Sequence, residues 1–197
     1  MAHHDIAALE RAFAAADADA RALSHGLRDA QGTWRAEAGS WSIAECLDHL
    51  ATSNRVYLLA MQPAAHRALT DGRRRRGPAR PGVVGGWFVW SLEPPVRTLF
   101  RGKAPQQIQL RPSPPLADAL EQFLASQREV VAFLHRYADI DLAGVRFPNP
   151  FVRGVRFSLA TGLHVIAAHE RRHLWQARRV RRIVEGHPPA AHHEETP

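Results

Sequence analysis

The residues of this chain best suited to chemistry are His169-Glu170-Arg171-Arg172-His173, with Gln176 three residues on. In a helix, positions i and i+4 lie one turn apart on one face, so two imidazoles can reach a single ion. Histidine nitrogen binds a divalent transition metal at about 2.0–2.1 Å, and a reactive centre uses three protein ligands and keeps one position open. The spacing has two readings. As His-Glu-x-x-His it is the zincin pattern, with two ligands and the glutamate as general base. That reading needs a third ligand downstream. Leu174 to Arg182 contains neither the glycine nor the histidine of a metzincin. Glu185 is too close on the same helix, and Glu194 and Glu195 stand in a tail with nothing to anchor it. As an inward pair on one helix of a bundle, it needs a histidine from a facing helix instead, and His49 is the candidate.

The elements that must position these side chains are helical. With Ser158 as N-cap, Leu159, Leu163, Ile166, Ala177, Val180 and Val184 recur at three- and four-residue steps, and Arg171, Arg178 and Arg182 lie opposite them. Upstream, Ile6, Leu9, Phe13, Ala16, Ala20, Leu23 and Leu27 predict a first helix from about Asp5 to Asp29. Ser42-Ile-Ala-Glu45 is a capping box for a second helix reaching about Leu69, which Pro63 would bend or end early. Trp41 is placed to pack on its first turn, and His49 lies on the flank of its stripe. A third helix follows Ser113-Pro114-Pro115 and carries Leu116, Leu120, Phe123, Leu124, Val130, Val131 and Leu134. With no convincing alternation of strand residues, the expected fold is all-α, a four-helix bundle with a long crossover, about 71–115, between its second and third helices. Residues 1–186 are expected to form one domain and 187–197 a frayed tail. Within the crossover, Arg73 to Arg76 reads as a solvated loop. The apolar stretch Val83–Trp90 is too short to span a bilayer. It reads as a short helix over the bundle end or at a subunit interface, with a membrane-surface contact as the alternative.

A chain of 197 residues suits one domain with a sizeable core. The lone Cys46 excludes an internal disulfide and fits a reducing compartment. The N-terminus lacks the basic and apolar regions of a secretory signal, so a cytoplasmic location is expected. The net charge of +7 comes mostly from arginine, without aromatic interleaving or a nucleic-acid motif, and is read as solvated surface.

Trp41-Ser-Ile-Ala-Glu-Cys-Leu-Asp-His49-Leu together with His169-Glu-Arg-Arg-His173-Leu-Trp-Gln176 resembles the DinB-like superfamily of metal-binding four-helix bundles. Glu93-Pro-Pro95 and Phe147-Pro-Asn-Pro-Phe151 resemble it more loosely. The resemblance implies an up-down-down-up bundle, often a homodimer, and a divalent metal, zinc or nickel, on His49, His169 and His173. Better-understood members are thiol S-transferases and isomerases that use a low-molecular-weight thiol such as bacillithiol or mycothiol. A metal-held thiolate would be the nucleophile toward a small electrophile. A metal-bound water would make a hydrolase instead, and a blocked fourth position a non-catalytic metal-binding or stress-response module. Gln176 is the candidate for orienting a bound ligand. Glu170 is expected to pair with a neighbouring arginine, and Cys46 to be a buried core residue. Asn54 and Tyr57 are candidates for the cavity lining, and Arg153 and Arg156 for an anionic cofactor.

Overall fold

The computed structural model describes residues 4–37, 39–94 and 114–186. The fold is mostly helical, with helices α1 (His4–Ser24), α2 (Asp29–Gly32), α3 (Ile43–Thr70), α4 (Val83–Leu92), α5 (Leu116–Arg136) and α6 (Leu159–Gly186). Between α5 and α6, β1 (Arg146–Pro148) and β2 (Arg156–Ser158) form a small antiparallel hairpin in which Phe147 faces Phe157. The expected tail, and Pro95 and Ser113 of the crossover, lie outside the described residues.

Local chemistry sets the boundaries. At the start of α3, the Ser42 hydroxyl accepts from Glu45 N, and Glu45 accepts in return from Ser42 N at 2.9 Å, so the capping box forms as expected. Ser158 Oγ accepts from Thr161 N at 3.0 Å and caps α6. The start of α5 is capped from elsewhere: Asp29 of α2 accepts from Leu116 N at 2.6 Å. Pro63 lies inside α3 without ending it. Both Pro63 and Leu59, whose carbonyl loses its usual donor, are exposed, so water can satisfy that group. The first helix ends five residues earlier than its periodicity suggests, and the chain then forms α2 separately.

Four long helices enclose the core. α3 packs on α5 and α6, and α1 packs on the same two from the opposite side. Close approach of α6 to α3 depends on Gly162, where a Cβ would lie 2.8 Å from Met61 Sδ and 2.9 Å from Phe147 Cζ. The apolar core falls into two halves. One contains Phe13, Tyr57, Val130, Leu163 and the hairpin phenylalanines, and the other contains Ala20, Leu47, Leu50, Phe123, Leu174 and Ala177. Between them each long helix contributes polar side chains: Asp17, Ser53 and Asn54, Ser126 and Gln127, and Glu170.

α4 fills the crossover as a short helix lying on α6. Its Gly85 meets Thr161, Phe88 packs on Phe157 with ring centroids 5.2 Å apart, and Glu93, just beyond its end, pairs with Arg171. No helix among the described residues is long and apolar enough to cross a membrane.

Candidate metal centre

The fold brings His49 from α3 together with His169 and His173 from α6. One ligand atom from each lies within 4.8 Å of the other two. The ring centroids form a triangle with sides of 5.0 Å, 4.7 Å and 4.6 Å, and the ring planes are steeply inclined to one another. His49 Nε2 approaches His169 Nε2 to 3.2 Å. Three imidazoles sharing one tetrahedral ion would place neighbouring nitrogens about 3.3 Å apart and ring centroids about 5 Å apart. The donor set therefore fits a divalent transition metal.

His49 Nδ1 and His173 Nδ1 are buried and have no hydrogen-bond partner. In His49 it is Nε2 that faces His169, so its Nδ1 points away from an ion shared by the two rings. The protonation state also suits a ligand. Burial pushes His49 down to about 4, against a smaller opposing effect of the Asp48 charge. Burial holds His169 and His173 well below the ordinary histidine value, helped by the neighbouring histidines and by Arg172. Three neutral imidazoles with free lone pairs are the state a metal requires.

Trp41 forms one wall. Its indole stacks on His173, with centroids 5.2 Å apart and planes inclined by 17°, and lies 4.7 Å from the His49 ring. The sequence placed Trp41 on the first turn of its helix, but its contact with both imidazoles is tertiary and carried no local signal. Gln176 is half-buried one turn beyond His173 and acts on that imidazole as an acceptor, favouring its protonated form against the larger effect of burial.

Several other candidates lie elsewhere. Cys46 is buried in the apolar half around Leu47, and burial pushes its thiol far up, so it is inert packing. Tyr57 packs in the other half against Phe147 and Phe151. Arg156 belongs to the hairpin, donating to the Arg146 carbonyl, and Arg153 is exposed beyond β1. A groove between α3 and α5, lined by Arg55, Leu58, Leu59, Glu129, Phe133 and Tyr137, includes none of the three histidines.

Glu170 corrects an expectation. It is fully buried and accepts from Asn54 Nδ2 at 2.9 Å, instead of pairing with an arginine. Asn54 also donates to Ser126 Oγ at 3.2 Å, and Gln127 donates to the Phe13 carbonyl at 3.1 Å. Burial pushes Glu170 up to about 8, against the Asn54 hydrogen bond, so the carboxyl is largely protonated at neutral pH. The signal for this placement was available: Glu170 falls in step with Leu163, Ile166 and Ala177. A base held in this hydrogen-bonded layer is not the metal-side general base of a zincin.

The DinB superfamily profile matches residues 12–177, an interval that includes all three histidines and every long helix in whole or large part. The chain belongs to the DinB superfamily. No curated protein and no solved structure matches it. Within this DinB-like chain, His49 of α3 and His169 and His173 of α6 stand close enough together that they could hold a metal ion.

Proposed function

We propose that this DinB-like protein is a metal-dependent thiol S-transferase. His49, His169 and His173 hold a divalent ion, zinc or nickel, and a low-molecular-weight thiol is joined to a small electrophile. The observation that carries the reading is the convergence of three neutral imidazoles, one ligand atom from each within 4.8 Å of the others, between α3 and α6. When bound, such an ion lowers the pKa of a thiol so that it is present as thiolate at neutral pH. The chain's own residues do the rest. Burial keeps the ligands unprotonated, and Trp41 covers two of the three rings and restricts water there. Gln176 presents a polar amide beside His173 that can orient an incoming ligand. Domain and assembly follow the same reading: one domain over 1–186, a cytoplasmic location and a homodimer.

We also read the four long helices as an up-down-down-up bundle. Asp19 on α1 pairs with Arg178 on α6, while Asp5 reaches Arg75 beyond the end of α3 at 2.5 Å. Asn54 and Arg55 on α3 meet Ser126 and Glu129 on α5, and Glu10 near the start of α1 meets His135 at the end of α5. These pairs support α1 with α6 and α3 with α5 as the parallel partners.

Elemental analysis of untagged protein, wild type beside His49→Ala, tests the centre. The expected result is near-stoichiometric metal in wild type and little in the variant. Metal retained in the variant would remove His49 as a required ligand. The loaded enzyme is then assayed on electrophiles with and without thiol. Thiol-dependent turnover supports the transferase, turnover without thiol makes it a hydrolase, and neither leaves a non-catalytic metal-binding module.

A further inference from the structure

The exposed face of α4 is unlike the rest of the described surface. Val83 and Val84 are 92% and 75% exposed, and Trp87 and Trp90 are 58% and 50% exposed. Val83, Trp87 and Trp90 recur at i, i+4 and i+7, so they share one face, while Gly85, Phe88 and Ser91 turn inward. Soluble surfaces carry scattered apolar side chains, but a contiguous face with two tryptophans marks an interaction site. The approach to this helix is basic. Residues 73–94 hold five arginines and one acid, Glu93. Glu93 is taken by Arg171 and Arg75 by Asp5, leaving Arg73, Arg74, Arg76 and Arg80 exposed. Arg75 N donates to the Asp139 carbonyl and Asp141 N to the Arg73 carbonyl, with Arg74 bridged to Ile140 between them, so two acids lie beside Arg73 to Arg75 and the excess positive charge lies toward α4, at Arg76 and Arg80.

We propose that this face is a membrane-surface contact for anionic lipid. α4 lies in the headgroup region, its valines and tryptophans enter the acyl boundary, and the arginines meet lipid phosphates. Charge complementarity selects this occupant. A second copy seated face to face would bring two sets of exposed arginines together without an unpaired acid in the segment to oppose them. A nucleic acid would match the arginines and could stack on tryptophan, but it offers nothing to the two most exposed side chains, the aliphatic Val83 and Val84.

The test is co-sedimentation of the full chain, metal-loaded, with phosphatidylcholine vesicles with and without phosphatidylglycerol. Wild type is expected to partition into the anionic vesicles about ten-fold or more better than into the neutral ones. Trp87→Ser/Trp90→Ser is expected to lower that partitioning by about ten-fold or more. Val83→Ser/Val84→Ser, which removes only exposed side chains, should also weaken it with helicity and metal content unchanged. Arg76→Gln and Arg80→Gln should each weaken it by about five-fold at low salt and little at high salt. Failure of wild type to prefer anionic vesicles overturns the proposal, as does binding that both apolar variants leave intact. Loss of a dimer in those variants without loss of vesicle binding would assign the face to a second copy. Duplex DNA binding that survives in both apolar variants, with no vesicle binding, would make it a polyanion site.

Discussion

Two buried polar regions meet at adjacent residues of α6. His169 and His173 open toward His49 and Trp41, while Glu170 turns into the layer shared with Asn54, Ser126 and Gln127. One physical cause, removal from water, acts on both with opposite results. It lowers the bases and raises the acid, so both regions are neutral near pH 7. What differs is what each neutral region offers. The histidines present converging lone pairs, which bind a cation. A protonated Glu170 presents a hydrogen to a layer crowded with acceptors, among them the unpartnered Asn54 Oδ1 and Gln127 Oε1. Burial alone therefore does not make a functional site. The inventory of donors and acceptors decides whether a buried cluster takes an ion or supports the fold.

Substitutions on the two sides of α6 should separate these roles. His173→Ala removes a proposed ligand and should lower metal affinity by at least about 100-fold, more than the loss of an outer hydrogen-bond partner costs at a metal site. Glu170→Gln should leave metal content unchanged. Competition with a chromophoric chelator measures both, and equal losses in the two variants would merge the regions into one site.

The reverse is expected for stability. Glu170 binds its proton in the folded protein up to about pH 8 but releases it near 4.5 when unfolded. The folded state therefore holds more protons across that window, and stability falls as pH rises from 4.5 to 8. The three histidines have the opposite sign. The unfolded chain takes up protons near 6.5 and the folded apoprotein only well below that, so stability falls as pH drops below 6.5. Between pH 6.5 and about 8 the metal-free protein should lose up to about 1.4 kcal/mol per pH unit through Glu170. Glu170→Gln should flatten that alkaline limb, gaining about 1–3 kcal/mol at pH 7.5 and little at pH 4.5. Urea unfolding of apoprotein at several pH values reads the slope. An equal gain at both pH values would show that the residue acts through packing rather than its proton.

How much of this could be read in advance depended on range along the chain. The His169–His173 pair is a local, one-turn relationship, so its spacing carried it. The Ser42–Glu45 capping box and the Ser158 cap are likewise local, whereas the start of α5 is capped by Asp29 from α2. His49 lies 120 residues from His169, and only the combination of two motifs joined them. Trp41 was expected to pack on a helix turn, and its stacking on His173 depends on how α3 meets α6. Glu170 is in step with the apolar stripe, and its burial follows from that position rather than from its charge. The β1–β2 hairpin has three residues per strand and a Pro148, too little for alternation to register. The short helix α4 is legible as an apolar stretch, but which of its faces turns inward follows only from its packing on α6.

The smallest expected effect bears on the wall between the histidines and water. Trp41 covers His173 and His49, so truncating it admits water to both rings. Desolvation is the largest influence lowering both imidazoles, and weakening it moves their protonation back toward 6.5. Protons then compete with the ion at a higher pH, because a ligating imidazole must be unprotonated. In wild type, metal release on acidification should begin well below pH 6.5. In Trp41→Ala it should begin about one pH unit higher, with affinity at pH 8 nearly unchanged. Trp41→Phe, which keeps an apolar ring over His173, should fall between the two. An onset that does not move in Trp41→Ala would mean that the surrounding helices, not the indole, keep water from the histidines, and that the closed side of the centre is built by α3 and α6 themselves.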